Sequence, residues 1–386
     1  MRALILTVSA GEGHNAMSKA LELCLSQHCE TKIFDIFNHK AKFQKKAVND
    51  GYFWLCKVNL KLANGFYESL KKRNPEKREH TFMQTMIKPA VKNVEEEIAA
   101  YQPDVIFCAH TYAGSIMSGL RNKKGLDIPT VSIVSDYDVS PYTECSIYID
   151  YIISPSDFFD DQLVAKGFRR EQIKQLGIPV QTKFSEEIDK LEARRTLGIA
   201  EDKFTIMIMN GGVGFGDNLS LIQNILLSKN RERFQIVLVN GRNEKMKESV
   251  DEYIAQENIT NIKNIGFAKN VDVIMSASDM LIGKIGGVAI AEAFNKKLPI
   301  LAAKRQPWQE YDNMVFLRER GACDYIEDSE RVYEKIDEFI EHPEKRERML
   351  ESMAKIAKPN ASRDIAALLL ELGRQYEAEK TAEKTV

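Results

Sequence analysis

The sequence predicts an α/β protein with two doubly wound parallel sheets, one in each half of the chain. Short runs of Ile, Val, Leu and Phe alternate with longer amphipathic stretches along the 386 residues. Most of these runs are apolar at every position, which is typical of strands buried on both faces of a parallel sheet. The repeated strand–helix–strand order then places helices on both faces of each sheet.

The predicted strands fall into two sets along the chain. The first set is Ala3–Val8, Lys32–Phe37, Asp104–Ala109, Thr130–Ser135 and Tyr151–Ser154. The second set is Thr205–Asn210, Gln235–Asn240, Ile262–Phe267, Met280–Gly283, Pro299–Ala303 and Cys323–Ile326. A Gly-Ile-Pro sequence at 177–179 interrupts the pattern between the sets. We therefore predict one doubly wound domain over 1–178, a second over 179–355, and a C-terminal helix with a polar tail over 356–386. A charged helix over 186–201 is predicted to lead into the second set.

Composition excludes several classes of protein. The apolar fraction of 44% is too high for a disordered chain, and the net charge of −2 argues against a dedicated nucleic-acid binder. No apolar run reaches the roughly 18 residues that a membrane-spanning helix needs. The six cysteines form no C-x-x-C pair and no zinc-type spacing, so we expect a reducing, cytoplasmic compartment and no metal site.

Residues 38–92, here called the basic segment, depart from the neutral average. They carry 13 Lys or Arg and 4 Asp or Glu, a local net charge of +9. Their apolar and aromatic residues recur at steps of three and four, which indicates one face of a helix. One interpretation is a helix packed on its own domain with a solvated basic side. The other is a surface that contacts anionic lipid, since each Lys or Arg near a membrane contributes about 1 kcal/mol. Its predicted contact residues are Trp54, Lys57, Lys61, Lys71, Lys72 and Arg73.

Polar residues follow three strands of the first set, where ligands of open parallel sheets bind. A Gly-Glu-Gly-His sequence at 11–14 opens a helix after the first strand. With an ordinary pKa of about 6.5, His14 is a candidate general base; the alternative is a plain turn with a surface histidine. Asp136 follows the fourth strand and could orient a histidine, bind a hydroxyl group or cap the next segment. The residues predicted to face an acceptor are Gly11, Gly13, His110, Tyr112 and Tyr137.

Glycine-rich turns follow the strands of the second set. The sequence Gly-Gly-Val-Gly at 211–214 indicates a backbone that approaches a phosphate closely, although it does not fit a Walker loop. Gly286 and Gly287 open a later helix, whose N-terminus offers amides to an anion. Glu292 lies in the second turn of that helix, where a carboxylate can hold the two hydroxyl groups of a ribose.

The block from Lys284 to Asn313 resembles the donor-binding half of family 28 glycosyltransferases. Within that family it is most similar to the monogalactosyldiacylglycerol synthase and processive diacylglycerol glucosyltransferase group. The family pattern is a Lys before a Gly-Gly turn, then Glu-Ala, Gly-x-Pro and Gly-Gln-Glu-x-x-Asn. The residues that match it here are Lys284, Gly286, Gly287, Glu292, Ala293, Pro299, Gln309, Glu310 and Asn313. The loops at 11–14, 135–136, 177–180, 211–214 and 241–243 match further family segments in the same order. Glu12, Ala289 and Trp308 depart from the pattern, and no histidine follows Asp136.

The resemblance implies a GT-B fold, two Rossmann-like doubly wound domains with a cleft between them. It implies an inverting transfer from a UDP-sugar to a lipid hydroxyl group, with no cofactor and no catalytic metal. His14 and Asp136 would then be the catalytic residues. The donor-binding residues would be Gly211, Gly212, Gly214, Arg242, Asn243, Phe267, Lys284, Gly286, Gly287, Val288, Glu292, Gln309, Glu310 and Asn313.

The leading expectation is a hexosyltransferase that makes glycolipid from diacylglycerol, bound peripherally to the inner face of the cell membrane. Its partners would be a UDP-sugar, the lipid acceptor and the anionic membrane surface, and not nucleic acid. Three alternatives stay open at this point. They are a UDP-sugar glycosyltransferase with another acceptor, a UDP-sugar epimerase, and a non-catalytic protein that binds a UDP-sugar.

Overall fold

The computed structural model describes residues 1–8, 12–37, 81–212, 214, 216–303 and 309–383. These residues form two compact units. The N-terminal unit comprises the described parts of 1–182 and 360–383 together with Gln309, and the C-terminal unit comprises those of 183–306 and 310–359. The predicted domain limits at 178 and 355 stay predictions, because a division into compact units does not show which segments fold independently. The basic segment up to residue 80, with its six predicted membrane residues, lies outside the described residues, as does Gly11.

The N-terminal unit contains a six-stranded parallel sheet in the order β2-β1-β3-β4-β5-β6. Its strands are β1 (Arg2–Thr7), β2 (Glu30–Asp35), β3 (Val105–Cys108), β4 (Thr130–Ile133), β5 (Tyr151–Ile153) and β6 (Ile173–Lys174). The central strands are buried along their length, which explains their continuous apolar sequence. The two-residue strand β6 was not predicted.

The C-terminal unit contains a second six-stranded parallel sheet in the order β12-β11-β10-β7-β8-β9. Its strands are β7 (Phe204–Met209), β8 (Phe234–Val239), β9 (Ile262–Ile265), β10 (Met280–Gly283), β11 (Ile300–Ala302) and β12 (Asp324–Tyr325). All eleven strands predicted for the two halves are present. The predicted fold class is therefore confirmed, and the predicted cleft between the sheets stays a prediction.

Helices connect the strands in both units. In chain order the described α-helices are α1 (Glu12–Leu25), α2 (Thr81–Tyr101), α3 (Thr111–Lys124), α4 (Asp160–Ala165), α5 (Lys190–Leu197), α6 (Asn218–Ile225), α7 (Glu244–Gln256), α8 (Val271–Ala277), α9 (Gly287–Asn295), α10 (Gln309–Glu319), α11 (Val332–Glu341), α12 (Pro343–Ile356) and α13 (Ala361–Glu383). None of these described helices is both long enough and apolar enough to cross a bilayer.

The helix predicted over 186–201 is shorter in the structure, where it forms α5. The Asp189 carboxylate accepts a hydrogen bond from the Glu192 amide at 2.9 Å and caps the start of α5. Gly198 has a φ of 62° and ends the helix in the left-handed conformation. The charge pattern alone did not show these two ends, so the prediction was too long at both.

Two contacts fix helices of the N-terminal unit around its sheet. Helix α13 packs against α1, β1 and β3, and the Tyr376 hydroxyl group donates to Asp127 Oδ1 at 2.8 Å. In α3, a Cβ atom at Gly114 would lie 2.7 Å from Ser132 Oγ and 2.8 Å from Ser146 Oγ. Only glycine leaves room for this approach, so Gly114 sets the position of α3 and of the polar residues at its N-terminus.

Candidate active site

His14 lies in the first turn of α1, beyond the carboxyl end of β1. Its Nδ1 atom is 2.8 Å from the carbonyl oxygen of Ala109, which follows β3. A carbonyl oxygen only accepts hydrogen bonds, so Nδ1 carries the hydrogen and Nε2 of the neutral ring holds a lone pair. Burial lowers the pKa of His14, against the opposing effect of the Asp136 carboxylate. The arrangement therefore gives a neutral imidazole with a basic Nε2 at neutral pH.

His110 lies beside His14 and is the N-cap residue of α3. Its Nδ1 atom accepts a hydrogen bond from the Tyr112 amide at 3.0 Å. The two imidazole rings are 4.4 Å apart between centroids, and the rings of His110 and Tyr112 are 4.6 Å apart. Burial lowers the pKa of His110 well below its ordinary value, and the His14 ring adds to this effect. The structure thus brings His14, His110 and Tyr112 together, because β1 and β3 are neighbours in the sheet.

Asp136 and Tyr137 follow β4 on the same edge of the sheet. Asp136 Oδ2 accepts a hydrogen bond from Ser135 Oγ at 3.2 Å, and its charge acts on His14. The Tyr137 side chain is buried, and its ring packs edge-on against Phe159 at 6.5 Å between centroids. Asp136 therefore lies where it can stabilise a protonated His14. The catalytic role of Asp136 stays a prediction. So do the acceptor-binding roles of Gly13, His110, Tyr112 and Tyr137.

The loops after β7 and β8 are locked together in the C-terminal unit. The Arg242 amide donates to the Gly212 carbonyl at 2.9 Å, and Asn243 Nδ2 donates to the Gly214 carbonyl at 3.0 Å. Gly214 and Gly241 both have positive φ, and a Cβ at Gly241 would lie 2.4 Å from the Gly212 carbonyl oxygen. Glycine is required here because two backbones touch. Gly211 also has a positive φ, and a Cβ there would meet nothing within 4 Å.

Phe267 lies just beyond β9 and is one of the more exposed large apolar residues of the described chain. The Arg242 guanidinium lies 4.7 Å from the centre of its ring, and 48% of the residue is exposed. An exposed ring stacked on a cation is a flat surface of the kind that a planar base can cover. This contact was not predicted, although both residues were.

Helix α9 begins without a side-chain cap beyond β10. Its N-cap residue is Gly286, and a Cβ at that position would meet nothing within 4 Å. Gly287 and Val288, the first two residues of the helix, are buried. The positive end of a helix that begins at a glycine is a position at which an anion can bind.

Two contacts hold the loop before α9 to helix α10. Lys284 Nζ forms an ion pair with Glu310 Oε1 at 2.5 Å. Asn313 is fully buried, and its Nδ2 donates to the Ile285 carbonyl at 3.1 Å. Gln309 is the first residue of α10. In this structure Glu310 and Asn313 anchor the loop, and the sugar contacts predicted for Gln309, Glu310 and Asn313 stay predictions.

Glu292 lies one turn further along α9 and is partly buried. Burial raises the pKa of its carboxyl group to about 8; the nearby Lys183 opposes this rise and Asp272 adds to it. Lys183 and Asp272 form an ion pair of 2.9 Å. Glu292 therefore holds a proton at neutral pH in this structure. The sequence could not show this, because Lys183 is 109 positions away from Glu292.

Comparison with known proteins identifies both halves of the chain. Residues 14–180 match the domain described as monogalactosyldiacylglycerol (MGDG) synthase, and residues 205–369 match the glycosyltransferase family 28 C-terminal domain. The chain belongs to family 28 of the glycosyltransferases. The family resemblance predicted from the loops is thus confirmed, and so is the assignment of the chain as a transferase.

Individual relatives agree with the family over nearly the whole chain. A processive diacylglycerol beta-glucosyltransferase of Bacillus pumilus is 25% identical over 96% of this chain and 94% of the relative. The protein of that name from Bacillus subtilis is 24% identical over 99% and 98%. The crystal structure of UDP-GlcNAc 2-epimerase from Neisseria meningitidis bound to UDP-GlcNAc has a TM-score of 0.60 at 16% identity, over 96% of this chain and 100% of the other. The last likeness shows the shared fold.

Proposed function

We propose that this family 28 glycosyltransferase transfers a hexose from a UDP-sugar to the hydroxyl group of diacylglycerol, with inversion at the anomeric carbon. The observation that carries the donor half is the N-terminus of α9, which begins at a glycine N-cap, with Glu292 one turn away and the interlocked glycine loops on the same edge of the sheet. The diacylglycerol acceptor follows the names of the two Bacillus relatives.

In this proposal each unit supplies one half of the chemistry. Nε2 of His14 takes the proton of the acceptor hydroxyl group, and the oxygen of that group bonds to the anomeric carbon. The bond from that carbon to the β-phosphate oxygen breaks, and UDP leaves with the electron pair. The N-terminus of α9 and the amides of the glycine loops stabilise the diphosphate charge, which would let the reaction proceed without a metal ion. Asp136 stabilises the imidazolium of His14 until the proton is released.

An acceptor screen tests this proposal. We expect purified protein to release UDP from UDP-glucose or UDP-galactose when vesicles contain diacylglycerol, and the lipid fraction to gain one or more hexose masses. The controls are vesicles without diacylglycerol and soluble alcohols as acceptors. Hexose on a soluble acceptor and none on lipid would contradict the choice of acceptor. UDP release only at the rate of hydrolysis would contradict transfer to either class.

We further propose that the basic segment binds the anionic inner face of the cell membrane. Its net charge of +9 supports this, because each Lys or Arg near an anionic surface contributes about 1 kcal/mol. Cysteine spacings without a disulfide pattern fit the reducing side of that membrane.

Liposome sedimentation tests the membrane proposal. We expect the protein to sediment with anionic vesicles at low salt. Lys71→Glu with Lys72→Glu should weaken binding by about tenfold or more, because two positive charges become negative and the net charge of the segment falls by four. Lys355→Glu with Lys358→Glu is the matched control, because both lysines are exposed and lie outside the basic segment. Equal weakening by both pairs would show an effect of total charge alone.

A further inference from the structure

Four asparagine side chains form one continuous chain of hydrogen bonds under the loops of the C-terminal unit. Asn210 Nδ2 donates to Asn218 Oδ1 at 2.6 Å, and Asn218 Nδ2 donates to Asn240 Oδ1 at 2.9 Å. Asn240 Nδ2 donates to Asn264 Oδ1 at 2.6 Å. Asn210 and Asn240 directly follow β7 and β8, Asn264 lies near the end of β9, and Asn218 begins α6. We call these four residues the asparagine chain.

Both ends of the asparagine chain are fixed by groups that cannot reverse their roles. At one end, Asn210 Oδ1 accepts a hydrogen bond from the Lys284 backbone amide at 2.9 Å. At the other end, Asn264 Nδ2 donates to the Lys247 carbonyl at 2.9 Å and to Asp251 Oδ1 at 2.8 Å. Backbone amides only donate and carbonyl oxygens only accept. Every amide in the chain therefore has one satisfactory orientation, with donation running from the Lys284 amide toward Asp251.

Three of the four members of the asparagine chain are buried where the three donor loops meet the sheet. Asn218 and Asn240 have no exposed surface, and Asn210 is 7% exposed. A buried amide that loses its partner is costly, so the chain holds each of its members at a fixed distance from the next. Asn210 begins the Gly211 loop, Asn240 begins the Gly241 loop, and Lys284 begins the loop that leads into α9. The hydrogen bonds thus join all three loops across β8, β7 and β10.

We propose that the asparagine chain is a positioning element for the donor diphosphate. It sets the spacing between the two glycine loops and the N-terminus of α9, and so the places from which amides reach the phosphates. This role rests on the proposed UDP-sugar site. Asn218 and Asn264 act through the loops and are positioning residues. The sequence did not reveal them, because their partners in the asparagine chain lie 8 to 24 residues away.

The variant Asn218→Asp tests the role with almost no change in side-chain volume. It replaces the donating Nδ2 by an oxygen that faces Asn240 Oδ1. Asn240 cannot turn to compensate, because its Nδ2 is also needed by Asn264 and by the Ile265 carbonyl at 3.3 Å. We expect the dissociation constant for UDP, measured by calorimetry, to rise by about tenfold or more, as small misplacements of binding groups do. The KM for the donor should rise more than kcat falls.

The matched control is Asn230→Asp, four residues before the start of β8. Asn230 is 7% exposed, and its Nδ2 donates to Asp337 Oδ1 at 2.9 Å and to Glu341 Oε1 at 3.0 Å. Like the test variant, this control replaces a donating amide by a carboxylate oxygen that faces other oxygen atoms. It does so in the same unit, away from the donor loops. We expect it to lower the melting temperature and to leave the UDP dissociation constant within about twofold of wild type.

A milder variant covers the case in which Asn218→Asp does not fold. Asn264 is partly exposed at the outer end of the chain, and Asn264→Ala is expected to fold and to weaken UDP binding by about threefold. Unchanged UDP affinity in every folded variant of the chain would overturn the positioning role alone. Equal weakening by Asn230→Asp would overturn it too, since the effect would follow stability. Wild-type protein that binds no UDP would overturn the donor site and with it this role.

Discussion

Replacing His14 by alanine is expected to lower the rate of sugar transfer by about a thousandfold, within the 10² to 10⁴ that a general base contributes. The bond from its Nδ1 to Ala109 leaves Nε2 as the one basic atom of the ring. UDP affinity should stay within about twofold of wild type, because the proposed donor loops belong to the other unit. UDP release with diacylglycerol vesicles measures the first effect, and calorimetry measures the second.

The control for this variant is His28→Ala, which removes an exposed histidine of the same unit. It should transfer sugar at the wild-type rate. Full activity of His14→Ala would exclude His14 as the base. Loss of UDP binding in the same variant would show that the substitution also disturbs donor binding.

The pH dependence of kcat follows from the same geometry. Burial lowers the pKa of His14, and Asp136 only partly opposes this, so half-protonation lies below the ordinary value of 6.5. The base must be neutral to take a proton. At saturating donor, kcat should therefore stay level from pH 7 to 8 and fall tenfold per pH unit well below the lowered pKa. In Asp136→Asn the fall should move to still lower pH, because the carboxylate that favours the protonated ring is gone.

The sequence was sufficient for most of the strands because the central ones are apolar and buried. Leu4, Ile5 and Leu6 have no exposed surface, and a run of this kind is visible without tertiary information. Strand β6 was missed because its two residues, Ile173 and Lys174, are flanked by glutamines. Strand β12 is equally short, but it lies between the apolar residues Cys323 and Ile326. Short edge strands depend on pairing with a neighbour, here β5, which a local pattern does not show.

The sequence proposed residues for the candidate site and showed none of the interactions among them. The sequence placed His14 and His110 after strands of the same half, and the pairing of β1 with β3 in the structure brings them together. The tautomer of His14 depended on the Ala109 carbonyl, which is 95 residues distant. The asparagine chain was missed for a related reason. An asparagine after a strand, such as Asn210 or Asn240, is common in turns, and only the fold shows that Asn218 joins the two.

The second large effect is expected at Glu292, where UDP binding should release close to one proton at pH 7. Burial raises the pKa of this carboxyl group to about 8, so the unbound protein holds the proton at that pH. The ribose hydroxyl groups donate to a carboxylate more strongly than to a neutral acid, so the bound state favours ionised Glu292. UDP affinity should consequently rise as the pH increases from 7 toward 8.

Calorimetry in buffers of different ionisation enthalpy measures this proton directly. In Glu292→Gln the release should vanish, and UDP should bind about tenfold more weakly at pH 8 because a neutral amide replaces a carboxylate acceptor. Glu341→Gln, which alters an exposed carboxylate of the same unit, is the control and should release the same proton as wild type. Proton uptake, or binding heats that do not depend on the buffer, would contradict the proposed role.

The same group should also shape the stability of the ligand-free protein. Between pH 4.5 and about 8 the folded chain keeps the Glu292 proton while the unfolded chain loses it. The folded state then binds more protons, so its free energy of unfolding falls as the pH rises through this window. Glu292→Gln removes that fall and should stabilise the protein at pH 8 by at least about 1 kcal/mol, with little effect at pH 4.5. If Glu292→Gln lowers both the free energy of unfolding and the affinity for UDP at both pH values, Glu292 only supports the packing of α9. Stabilisation together with weakened binding would instead show that the buried carboxyl group is kept for its ligand at a cost to the fold.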